Sequence, residues 1–248
     1  MKRHFLLLTA ALLIALPLFA RNDALSLIPN DAVTVGVVKL ADLRNSPLAA
    51  TLFKQTDAVT SNGDAAMFLQ DAGLQPSKDI DVLVVSTSPK TNLGDEAEVL
   101  IAADGRFNVD LLTAALTKRG AVQKNGYLTL PNEASNHGKQ GVVAFPDSHL
   151  ALIGSEGAVT AALANRANGG TTFFAASGLG REVSRIDSHA AAWAIVDVPR
   201  ASRLTNSPRV PSKNTQAEAL ASAIKNVSTV ALWATDAGDA LKLGAFGI

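Results

Sequence analysis

The chain has 248 residues, with 22 basic and 22 acidic side chains and no cysteine. That balance excludes a polyanion-binding surface built on net charge, and the missing thiols exclude disulfides, paired-cysteine metal sites and a lipid-modified cysteine. Without its first 20 residues the chain keeps 20 basic and 22 acidic groups, a net of −2 over 228 residues. A chain of that length can bury about 70% of its unfolded surface without staples.

The N-terminus MKRHFLLLTAALLIALPLFARND sets Lys2, Arg3 and His4 ahead of an apolar run from Phe5 to Ala20. This order is that of a secretory signal peptide. As a helix the run reaches about 24 Å against roughly 30 Å of hydrocarbon, short for a stable span. Ala20 is a small residue suited to the cleavage site, although Leu18, two positions before it, is bulkier than the preferred alanine. Cleavage after Ala20 is the expectation, with an uncleaved anchor as the alternative.

Asn30 and Asp31 turn the chain into AVTVGVVKL (32–40), a valine-rich strand pattern. Ser46 and Pro47 open a helix by a hydroxyl cap and a proline at its first position, with Leu48, Leu52 and Phe53 on one face. SNGD (61–64) ends it, and AAMFLQDAG forms a second, short helix stopped at Gly73. DIDVLVVSTS (79–88) and EAEVLIAAD (96–104) make a hairpin. Asn108 caps a helix through Val109, Leu112 and Leu116 that Gly120 ends.

GYLTLP (126–131), QGVVAFP (140–146) and HLALIG (149–154) read as short strands, the last two joined by a Pro-Asp-Ser turn. A helix begins at Ser155 and leaves through paired glycines, and 175–186 is helical as well. At HAAAWAIVDV (189–198) the order restarts: strand, helix at PRASRL and 214–226, then hairpin strands from Val227 to Ile248.

The period implies an internal duplication. The expected architecture is α+β, two ferredoxin-like (split βαβ) units with mainly antiparallel sheets and helices packed on one face. The expected boundaries are a signal peptide at 1–20, a first unit with an extra hairpin and helices at 21–187, and a second, incomplete unit at 188–248. The missing counterpart of the 108–119 helix, with LGAFGI as the last residues, suggests a truncated reading frame, which sequencing past the Ile248 codon would decide.

Catalytic motifs are weak throughout. His137, His149 and His189 lack acidic partners at ligand spacing, and His4 leaves with the signal. Asp147, Ser148 and His149 are adjacent, whereas a triad converges from separate elements. IGSEG has Gly154 one residue before Ser155 and so misses the nucleophile elbow, which needs a glycine two before. SGLGREV has Gly178 and Gly180 but Val183 where a dinucleotide loop needs a third glycine. Asp79 and Asp81 flank Ile80 and share a strand face, a geometry that acid/base chemistry could use, although strand-start solvation explains it as well. Trp193 and Trp233 hold parallel positions on two strands, where core burial outweighs a stacking platform. The polar loop PNEASNHGKQG could touch a partner, although loops of that composition are most often plain hairpin tips. No catalytic, cofactor-binding or metal-ligating residue is assigned.

LIPNDAVTVGVVKLADLRNSPLAATLF, DAGLQPSKDIDVLVVSTS and AADGRFNVDLLTAAL together resemble a group of uncharacterised secreted bacterial proteins. The shared punctuation is Pro29 to Ala32 leading into a strand, Ser46 to Leu48 at a helix start, Gly73 and Leu74 before Lys78 and Asp79, and Gly105 to Phe107 between strand and helix. The likeness covers about residues 25 to 200. It implies the duplicated ferredoxin-like fold and an envelope location, and it brings no catalytic residues.

The leading expectation is thus a periplasmic or secreted, non-enzymatic protein that binds a partner protein or ligand through sheet faces or hairpin loops. It needs no cofactor and no nucleic acid, and meets the membrane only if its leader is retained. Two rivals stand beside it: an envelope hydrolase assembled in three dimensions, for instance from Asp79 or Asp81 with His149, and a membrane-tethered assembly factor.

Overall fold

The protein is described from a computed structural model covering residues 23–46, 49–50, 53, 63–90, 93–131, 140–204, 227–238 and 240–248. The leader, most of the 46–60 helix, the tip of the 131–140 loop and the 214–226 helix expected from sequence lie outside the described residues.

Among the described residues ten strands form one sheet with every pairing antiparallel, running from one edge to the other as Leu241–Gly247, Thr229–Asp236, Ala190–Asp197, Thr34–Lys39, Ile80–Lys90, Leu93–Gly105, Leu150–Ser155, Gly141–Asp147, Tyr127–Thr129 and Val122–Lys124. Residues 24–28 precede it, with a single 3₁₀ turn at Leu25–Leu27. β1 (Thr34–Lys39) alternates as its β-branched residues predict, Val35 and Val37 turning inward. A one-turn helix α1 (Leu40–Leu43) follows, and the Ser46 hydroxyl accepts the Ala49 N–H at 3.4 Å in the capping position read from sequence. Helix α2 (Gly63–Asp71) stops at Gly73, whose φ of 61° is left-handed. A further turn, α3 (Pro76–Asp79), ends on Asp79, the first residue that sequence assigned to the next strand.

β2 (Ile80–Lys90) and β3 (Leu93–Gly105) make the expected hairpin, and α4 (Val109–Lys118) follows. β4 (Val122–Lys124) and β5 (Tyr127–Thr129) form a tight hairpin at one edge of the sheet, turning through Gly126 at φ 85°. β6 (Gly141–Asp147) and β7 (Leu150–Ser155) are joined by Ser148 and His149. Helix α5 (Glu156–Ala167) leads to two short helices, α6 (Phe173–Ala176) and α7 (Gly178–Glu182), where sequence predicted one helix. The Ser177 hydroxyl accepts from the Gly180 N–H and restarts the chain there. β8 (Ala190–Asp197), α8 (Val198–Leu204), β9 (Thr229–Asp236) and β10 (Leu241–Gly247) complete the described chain.

The sheet packs on both faces, and this corrects the expectation of helices on one face. The main core joins Val35, Val37, Val84, Leu100, Leu152 and Ile195 to Leu27, Ile28, Val159, Phe173 and Leu179. Ala103 and Ala151 point the opposite way, where they meet Leu112 and Ala115 of α4, with Phe68 of α2 packed alongside. The α+β class holds, whereas the strand order departs from a split βαβ unit. In such a unit a third strand lies between the two strands joined by a helix, but here β1 pairs directly with β2, Val37 opposite Val84.

Candidate functional site

The β6–β7 turn accounts for the Asp147-Ser148-His149 cluster. Asp147 Oδ1 accepts the backbone N–H groups of His149 (2.7 Å) and Leu150 (3.1 Å), while Oδ2 meets Arg166 at 2.5 Å. Burial works against the charge of Asp147, yet the His149 N–H and the Arg166 guanidinium outweigh it and hold the carboxyl below its ordinary range. The Ser148 carbonyl accepts from the Phe107 N–H, and His149 Nδ1 lies 3.2 Å from the Gly105 carbonyl. These three residues fasten a turn to the β3–α4 corner.

Asp79 and His149 do reach one place. They line an open depression of about 580 Å³ together with Arg106, Asn108, Asp110 and Ser148. Two of them have structural partners: Asp79 Oδ2 accepts the Gln75 N–H at 2.7 Å, and Asn108 Oδ1 accepts the Leu111 N–H at 3.1 Å. Asp81 is tied by Arg44 at 2.6 Å, with Arg106 at 3.8 Å. The pair flanking Ile80 thus splits into two unrelated roles, because Asp79 ends a helical turn and Asp81 lies on a strand.

The remaining candidates are structural too. Ser155 precedes α5, but its Oγ makes no capping bond and is buried without a partner. Gly178 and Gly180 lie in α7, Gly180 pressed onto the Phe173 carbonyl. Trp193 faces Trp233 across β8 and β9, and it is 8% exposed. His189 contacts Asp187 at 3.3 Å on the surface. His137 lies outside the described residues, and among the described residues no cluster of three or more His, Asp or Glu side chains is placed to hold a metal.

Two features escaped sequence reasoning. The first is Asp104, the last residue of an apolar strand pattern, which turns into the main core and accepts the Ala24 N–H at 3.0 and 3.2 Å. Only its carboxylate among alternating apolar residues marked it. The second is an apolar field on the sheet face opposite the main core. Cross-strand register lines up Leu232, Ala194, Gly36, Val85, Ile101 and Ile153 from β9 to β7. Five strand spacings make that row about 24 Å long. Beside it Leu243, Ala234, Ala192, Val38 and Leu83 run toward Ala103, where α2 and α4 take over the cover.

Toward β9 and β10 this field is open: Leu232 is 57% and Leu243 81% exposed. A shallow groove of about 400 Å³ runs over it, with walls that are almost wholly apolar. Sequence showed the alternation on each strand, but whether the second face would be covered depends on neighbours the pattern does not encode. No described helix is long and apolar enough to cross a membrane.

No protein-family model matches the chain, and no curated protein matches it. Among solved structures it is similar to crystal forms IV and I of TP0453, at 11% and 8% identity and TM-scores of 0.43 and 0.42. These alignments cover 85% of this chain and 74% and 72% of the other. Similarity at that level bears on neither function nor mechanism.

Proposed function

We propose that this is an exported, non-enzymatic α+β protein of the bacterial envelope or its surroundings that docks a partner protein on the open face of its sheet. The observation that carries this reading is the exposed apolar field around Leu232 and Leu243. Contiguous apolar surface of this kind marks interaction sites. Its flat, broad form suits an apolar protein surface better than a small ligand, which favours a concave pocket. The leader-like N-terminus supports export, and the structural employment of Asp79, Asp147 and His149 supports a non-catalytic role.

The duplication inferred from sequence takes a different form in this reading. β1-β2-β3 and β8-β9-β10 are each a strand, a helical connection and a hairpin, and they run outward in opposite directions from the β1–β8 pair. This mirrored order supports two copies of one three-stranded unit joined about a pseudo-twofold axis between Gly36 and Ala194.

A photo-cross-linking residue at position 243 of the full chain, expressed in a bacterial envelope, tests the docking surface. The expected result is a cross-link to one envelope protein that also binds the purified chain and loses at least tenfold in affinity to a Leu232→Glu, Leu243→Glu variant. Cross-links confined to residues 205–226 of the same chain, or to a second copy, would sink the proposal. So would ester, peptide or phosphate hydrolysis abolished by one point substitution. Mass spectrometry of the exported protein should find Arg21 as its first residue; a retained leader supports the tethered alternative.

A further inference from the structure

Asp104 is the penultimate residue of β3, on the filled face of the sheet, opposite Leu150 of β7 and Val82 of β2. It is 7% exposed, and its hydrogen bonds come from the Ala24 N–H. That contact holds the start of residues 24–28, a strap whose Ser26 and Ile28 carbonyls also accept from the Thr171 N–H and hydroxyl, and whose Ala24, Leu27 and Ile28 are completely buried in the main core.

The charges around Asp104 are engaged elsewhere. Arg166 of α5 bridges Asp23 at 3.2 Å and Asp147 at 2.5 Å. Arg44 and Arg106 both address Asp81 of β2. His149, just before β7, lies against the Gly105 carbonyl. Asp104 therefore sits among three carboxylates that hold the local cations, with none paired to itself among the described residues.

We propose that Asp104 is a proton-operated latch on this strap: protonated, it rests in the core and the strap stays docked, whereas ionised, it favours the opened strap in which water reaches it. Burial is the main cause that pushes the Asp104 carboxyl up, to about 7; the Ala24 N–H opposes this, and Asp23, Asp81 and Asp147 add to it. In the opened strap the carboxyl returns to about 3.9. Opening therefore releases a proton in the interval between those values. Its equilibrium constant climbs up to about tenfold per pH unit from about 4 to about 7 and levels off above that. Residues 24–28, and the core floor under Leu27 and Ile28, become accessible as the medium moves from acidic to neutral.

Amide hydrogen exchange of residues 24–28 in the full chain at pH 5, 6 and 7, corrected for intrinsic exchange rates, reads this device. The wild-type opening constant should rise up to about tenfold per unit. In Asp104→Asn, which keeps an acceptor for Ala24, it should be flat. A flat wild-type profile, or the same slope in the variant, would overturn the latch. The carboxyl ¹³C resonance of Asp104 in the wild-type protein is a readout that does not depend on the variant folding: a midpoint near 7 supports the proposal, and one near 4 refutes it.

Discussion

Gly244 on β10 shows how one absent side chain sets a larger one. A Cβ there would run into the Trp233 ring, which lies over it from the paired position on β9. The same ring packs 6.1 Å from Phe246, and the Arg185 guanidinium stacks 4.7 Å from the centre of the Phe246 ring. Gly244→Val should therefore force the indole off its seat and cost about 1–3 kcal/mol, as overpacking of a settled contact does. A lower urea midpoint with red-shifted tryptophan emission is the expected result; an unchanged midpoint would mean that the ring relocates without loss. Asp104 belongs to the same scale. Its folded-state carboxyl lies above the unfolded value, so its contribution to stability is full at pH 4 and is lost as pH rises to about 7.

Among the elements, the best-read helix is α4. Asn108 accepts the Leu111 N–H, Leu112 and Ala115 face the second core, and Gly120 ends the helix at φ 89°. Asn108→Ala should lower the stability of the whole protein by about 1 kcal/mol, since it leaves a first-turn donor without its acceptor. Chemical denaturation checks this, and Asn108→Asp should restore most of the loss. Strands were legible for the same reason as α4, because burial on one side repeats at a fixed spacing. β4 was missed because its three residues are all exposed and only Val122 among them is apolar, too little for a pattern. The helix expected over 175–186 breaks because Gly180 must approach the Phe173 carbonyl, a contact that sequence spacing does not reveal. Ser155 has the right residue type for a cap, yet its hydroxyl points elsewhere, a matter of rotamer and packing.

Across the whole molecule, the strand that opens the expected 188–248 unit lies beside the first strand of the expected 21–187 unit. β8 pairs with β1 over five residue positions, and Ile195 shares the main core with Val35. Both halves thus depend on one ladder and one packed layer, and thermal unfolding should show a single cooperative transition. Two resolved transitions would mean that residues 21–187 and 188–248 unfold as separate units. The depression holding Asp79 and His149 also belongs to this scale: tertiary folding brings them to one wall, but hydrogen bonds to Gln75 and Gly105 take up both groups.

From the amino-acid order alone came the α+β class, nine of the ten strands and the poverty of catalytic motifs, because apolar periodicity and turn chemistry are local properties of the chain. Only the tertiary structure decided that β1 and β2 are neighbours, that helices lie on both faces, that an apolar field stays open near β10 and that Asp104 is enclosed. Each of these follows from which distant segments compete for the same buried surface, a long-range outcome that the local pattern permits in several ways.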